Sequence, residues 1–138
     1  MTSQHPDNHA YDSADNWLTT IRELVANYRA ATAVDDIDDT AQAEINAAAH
    51  AIYEAPLSVE VRSSWHDPVR VAVSAEYQIL LSFGGPSVRI TGDLDGYAQP
   101  DTARLEYQDW GTPWTAHPLT AEEAEDVLTF AQQFHYGE

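Results

Sequence analysis

The chain has 138 residues, 23 Asp+Glu against 6 Lys+Arg for a formal net charge of −17, 43% hydrophobic residues and no cysteine. A single globular domain of this size buries roughly two thirds of the surface of its unfolded chain, so it folds without metal or disulfide staples. The missing cysteines exclude disulfide scaffolds, thiolate zinc sites, iron–sulfur clusters and cysteine nucleophiles, and the charge excludes direct binding to nucleic acid or to an anionic membrane, both recognised through basic patches.

Residues 1–12 carry no apolar period and read as a disordered leader ahead of one domain over 13–138. Trp17, Ile21, Leu24, Val25 and Tyr28 recur at helical spacing, which predicts a first helix over about 14–32 with Ser13 or Asp15 at its N-cap. The segment Val34-Asp35-Asp36-Ile37-Asp38-Asp39-Thr40 interrupts it, and Asp39 or Thr40 can cap a second, alanine-rich helix that Pro56 stops. From Leu57 the period becomes two, with Leu57, Val59 and Val61 alternating with Ser58, Glu60 and Arg62. Further strands are expected from Tyr77 to Phe83, led in by Val69, Val71 and Val73, then from Ser87 to Leu94 after the Gly84-Gly85-Pro86 reversal, and from Thr102 to Asp109. Thr120 with Glu123 matches a capping box before a last helix with Val127, Phe130, Ala131 and Phe134 on its buried stripe. The expected fold is α+β: a four-stranded antiparallel meander with two N-terminal helices and one C-terminal helix packed on one face.

The alternation places Leu57, Val59, Val61, Tyr77, Ile79, Leu81, Val88, Ile90, Leu105 and Tyr107 on the helix-covered side. Glu60, Arg62, Gln78, Arg89, Thr91, Arg104 and Glu106 then share the opposite side. There the three arginines either converge on an anion or pair across strands with the glutamates.

All six basic residues are arginines, and two basic-free stretches result. One, between Arg29 and Arg62, contains Asp35, Asp36, Asp38, Asp39 and Glu44; the other, after Arg104, contains Glu122, Glu123, Glu125 and Asp126. Such acidity serves solubility, reflects salt adaptation, or imitates nucleic-acid phosphates for a basic partner that it steers in from a distance. The four aspartates lack the glycine and the spacing of an EF-hand loop, and no cofactor motif is present. Trp110 and Trp114 sit in a loop with more aromatic surface than a connection needs; they either anchor an interface or fold back over one end of the sheet. His66, beside Asp67, and His117 are the bases a small enzyme would use. Neither belongs to a recognisable catalytic motif, so the expectation is a non-enzymatic protein. No apolar run approaches a membrane span, and the N-terminus lacks a basic, apolar leader, so the expected compartment is the cytoplasm.

The stretches 57–66 (LSVEVRSSWH), 79–90 (ILLSFGGPSVRI), 103–114 (ARLEYQDWGTPW) and 134–138 (FHYGE) resemble a family of small acidic proteins carried by proteobacterial phages and integrative elements. The resemblance spans about residues 14–138 and implies a genomic setting, with no residue roles attached. Mobile elements of this kind encode small acidic inhibitors of host nucleases and CRISPR complexes that mimic DNA. The resulting expectation is an inhibitor that places Asp35, Asp36, Asp38, Asp39, Glu44, Glu122, Glu123, Glu125 and Asp126 in the basic groove of a nucleic-acid-binding host protein. A regulatory protein that binds through Trp110 and Trp114 is the alternative.

Overall fold

The computed structural model describes residues 9–63, 65–69, 74–84 and 86–136. Helix α1 spans His9–Thr32 and buries Ala10, Ala14, Leu18, Ile21 and Val25. Those positions are three and four apart and make one continuous stripe. The helix thus starts five residues before the expected 14, and residues 9–12, expected in a leader, form its first turn. Ala10 is buried there because that turn continues the same stripe. Residues 1–8, the rest of the expected leader, lie outside the described residues.

Helix α2 spans Asp39–Glu54 and buries only Ala41 and Ile52. Its N-cap is Asp38, one residue before the expected cap, whose carboxylate accepts from the Ala41 amide at 2.8 Å. Pro56 stops it as expected, with the chain leaving at Ala55.

The sheet has five antiparallel strands in sequential order: β1 (Ser58–Ser63), β2 (Ser74–Ser82), β3 (Ser87–Asp93), β4 (Arg104–Gln108) and β5 (Thr115–Ala116). Four strands were expected. The fifth is a two-residue strand from the tryptophan loop, pairing Thr115 with Tyr107 and Ala116 with Glu106, and too short to announce itself by alternation. The β3–β4 connection turns where Asp95-Gly96 places it and closes with a Leu94–Pro100 bridge. Val71 and Val73 lie outside the described residues, and Val69 is exposed. Helix α3 spans Ala121–Ala131 behind the expected Thr120–Glu123 capping box.

Register bears out most of the expected faces. Val59 is opposite Ile79 and Val61 opposite Tyr77, while Ile79 meets Ile90 and Ile90 meets Leu105. Tyr77, Ile79, Leu81, Val88, Ile90 and Leu105 are buried, but Leu57 and Val61 are exposed. Helix α1 packs on β3 and β4, α3 packs on α1 and β4, and α2 packs mainly on α1. Ile52 carries α2 into the same core as Tyr77 and Ile79, and of the apolar residues at β1 only Val59 packs against that core.

Two tyrosines close the core. Tyr77 donates its hydroxyl to the Thr102 carbonyl at 2.7 Å, and Tyr136 donates to the Ala131 carbonyl at 2.6 Å. Gly92, opposite Tyr77 on β3, makes room for this: a Cβ there would lie 2.0 Å from the Thr102 oxygen and 2.7 Å from the Tyr77 ring. Burial pushes both phenols well above their ordinary value near 10. With the folded-state value raised, their stabilisation is whole below pH 10 and is lost as pH rises past it, because there only the unfolded chain ionises. Tyr77→Phe with Tyr136→Phe is therefore expected to lower stability at pH 7 by about 1 kcal/mol per lost hydrogen bond. The same pair should flatten the fall in urea midpoint between about pH 10 and 12.

Candidate functional site

The corner between α1 and α2 carries the densest exposed acid. Thr32 ends α1 by turning its hydroxyl back onto the Tyr28 and Arg29 carbonyls, and the chain turns through Val34 and Ile37, both exposed. Asp35, Asp36, Asp38, Asp39 and Glu44 are all exposed, and none has a cationic partner among the described residues. Asp38 caps α2 and Asp39 sits in its first turn, where the helix dipole favours negative charge. Asp35, Asp36 and Glu44 have no such local role.

The second acidic cluster divides. Glu122 and Glu125 face solvent, but Glu123 and Asp126 turn toward α1. The Asp126 side chain, only 13% exposed, accepts from Arg22 Nε at 2.8 Å and from Arg29 Nη1 at 2.7 Å. Arg29 also donates to the Thr129 hydroxyl at 3.1 Å, and Arg22 lies 3.7 Å from Glu123. The hydrogen bond to Asp126 raises the Arg22 guanidinium further above its ordinary value. Glu123 in addition accepts from the Thr120 amide within the capping box. The four acids therefore make no single partner-facing row: two are exposed and two hold α3 to α1. A proline, glycine or capping motif would have been visible in the sequence, but a clamp between residues about a hundred positions apart leaves no local signal.

The open side of the sheet is a shallow groove of about 500 Å³ lined by Glu60, Arg62, Gln78, Arg89, Arg104 and Glu106 among others. Arg62 pairs with Glu76, and Arg89 donates to Glu106 at 2.8 Å and to Gln78 at 2.7 Å. Gln78 donates to Glu60 at 3.1 Å and Thr91 to Glu106 at 3.2 Å. Cross-strand pairing thus holds two of the three arginines, and only Arg104 has no carboxylate partner among the described residues.

The two tryptophans part company. Trp114, pinned by β5, packs its ring on Arg89 with the guanidinium carbon 4.0 Å from the ring centre. Trp110 is 81% exposed at a turn where Gly111 adopts positive φ and Thr112 closes back on Asp109. Folding back over the sheet describes Trp114, while Trp110 remains an exposed aromatic.

His66 lies in the β1–β2 connection with its ring Nδ1 2.9 Å from the Asp67 carbonyl oxygen. His117 is buried after β5, edge-on to Tyr11 at 4.7 Å and to Tyr107 at 6.4 Å, with Nε2 3.3 Å from the Asp15 carboxylate and Nδ1 without a hydrogen-bond partner. Asp15, expected as an N-cap, thus tethers α1 to the segment ahead of α3. Among the described residues no group of three His, Asp or Glu is arranged to hold a metal ion, and no helix is long and apolar enough to cross a membrane.

No protein-family model matches this chain, and no curated protein or solved structure matches it significantly.

The division of the second cluster has a measurable consequence. Asp126→Asn should lower stability by roughly 1–2 kcal/mol because it strips two arginines of their shared anion, whereas Glu125→Gln, exposed and outside the first turn of α3, should leave the chemical-denaturation midpoint unchanged or higher.

Proposed function

We propose that this chain is a non-enzymatic acidic binding protein that occupies the basic nucleic-acid groove of a partner, its carboxylates standing in for phosphates. The observation that carries the reading is the α1–α2 corner. Asp35, Asp36, Asp38, Asp39 and Glu44 are exposed together with no cation of their own chain among the described residues, while Val34 and Ile37 add apolar contact beside them. Such a surface suits guanidinium and ammonium donors arranged for a phosphate backbone, and the net charge of −17 accelerates encounter with them. On α3, Glu122 and Glu125 extend the negative field, while Glu123 and Asp126 serve the fold. The resemblance to proteins of phages and integrative elements supports a partner in host defence or gene regulation, within the bacterial cytoplasm.

A second reading rests on Trp110, an aromatic side chain left 81% exposed at the turn after β4. In that reading Trp110 anchors the interface and the acidity serves solubility.

Partner capture followed by binding kinetics separates them. Under mimicry, Asp35→Asn, Asp36→Asn and Glu44→Gln together slow association by about tenfold at low salt with the melting temperature retained. Binding also falls steeply with added salt and competes with the partner's duplex. Full binding by that triple variant, with loss on Trp110→Ala, would discard mimicry in favour of the aromatic anchor.

A further inference from the structure

We infer that the chain forms a two-fold homodimer by pairing β1 antiparallel with β1 of a second copy, in the register that sets Val61 opposite Val61. Strand β1 has β2 on one side, and among the described residues no strand pairs with its other edge. At six residues it is long enough to template another strand, unlike β5 at the opposite edge, which has two. The ladder breaks between Arg62 and Ser63, but the unpaired residue there, Ala75, belongs to β2, so β1 stays regular along its free edge. Val59 packs against the core, but Val61 is 43% and Leu57 64% exposed on the same side.

The side chains choose both occupant and register. A two-fold normal to the sheet keeps the faces aligned, so opposed residues share parity and the axis falls on a residue position. Centred on Glu60 or on Arg62, the pairing opposes like charges. Centred on Val59, it forms no charge pair. Centred on Val61, it sets Glu60 against Arg62 of the second copy and Arg62 against its Glu60, two opposite-charge pairs on the polar face of the joined sheet. Both side chains lie on that face, where Glu60 accepts from Gln78 and Arg62 pairs with Glu76 on β2, so the pairs to the second copy would join these contacts in one cross-strand network. On the other face, Val61 meets Val61, an exposed apolar side chain on each copy. A second copy therefore fits this edge by its own sequence. The charges that discourage indiscriminate strand addition become complementary in one register only.

The long-range charge acts the opposite way. Two bodies of −17 repel, so the dimer should tighten as salt screens them, the reverse of binding to a basic partner. Sedimentation equilibrium of the full chain tests this. The expected result is a mass rising toward twice the monomer with concentration, and a dimer fraction several-fold larger at about 0.5 M than at about 0.02 M salt. Glu60→Arg and Arg62→Glu should each be monomeric alone, and their equimolar mixture should dimerise because opposite charges then face each other at both pairs. Val61→Lys, which leaves the contacts to Gln78 and Glu76 in place, should be monomeric too and decides the matter should a charge variant lose its circular-dichroism signal. Monomer mass at every concentration and salt overturns the proposal. So does a dimer that survives both Glu60→Arg and Val61→Lys, or one lost in the single charge variants and not regained on mixing.

Discussion

The fold hangs on the apolar stripe of α1. Ala10, Ala14, Leu18, Ile21 and Val25 form the inner surface against which β3 and β4 pack, and α2 and α3 both dock on this helix. Burying Leu18, Ile21 and Val25 alone contributes roughly 1.5–3 kcal/mol each. The alanines at positions 10 and 14 let the first turns approach the sheet closely, where Tyr11 meets the rings of Tyr107 and His117. By contrast α2 buries only Ala41 and Ile52, and of these Ile52 joins the common core.

With 23 acids and six arginines, the placement of each cation shapes the surface. Arg22 and Arg29 go to the α1–α3 seam on Asp126, and Arg62 and Arg89 go to the open sheet face on Glu76 and Glu106. The first set joins two helices that otherwise meet by side-chain packing, and the second adds to the backbone ladders that already pair β1 with β2 and β3 with β4. Their use inside the fold leaves the α1–α2 corner uncompensated. The same allocation that knits the structure thereby leaves a concentrated negative surface at that corner, at the expense of self-repulsion.

The sheet is asymmetric in a way that separates two kinds of surface. Its centre, β2 to β4, is buried on the helix side and polar on the other, where Trp114 and Gln78 fix Arg89 in place. At the β1 edge Val61 and Leu57 are exposed, and among the described residues no strand pairs with the outer side of β1. The acidic corner and the β1 edge lie at opposite ends of α2, since that helix begins at the corner and delivers the chain through Pro56 into β1. Sixteen residues of helix separate them by about 24 Å, so the two surfaces can be occupied independently.

What the sequence by itself determined is what depends on near neighbours. The helical period from Trp17 to Tyr28, the alternation from Tyr77 through Ile90, the stop at Pro56 and the Thr120–Glu123 capping box all appear where expected, because each is a relation between residues at most a few positions apart. The acid excess at Asp35, Asp36 and Glu44 was legible for the same reason. Tertiary structure decided which members of each pattern reach solvent: Asp126 and Glu123 turned inward, Trp110 outward, and Leu57 and Val61 lost their cover although their alternation matches that of the buried strands. It also joined His117 to Asp15 and added β5. Those outcomes depend on where a distant element docks, and a chain's local periodicity records which face of a strand is apolar but not how far the helix above it extends.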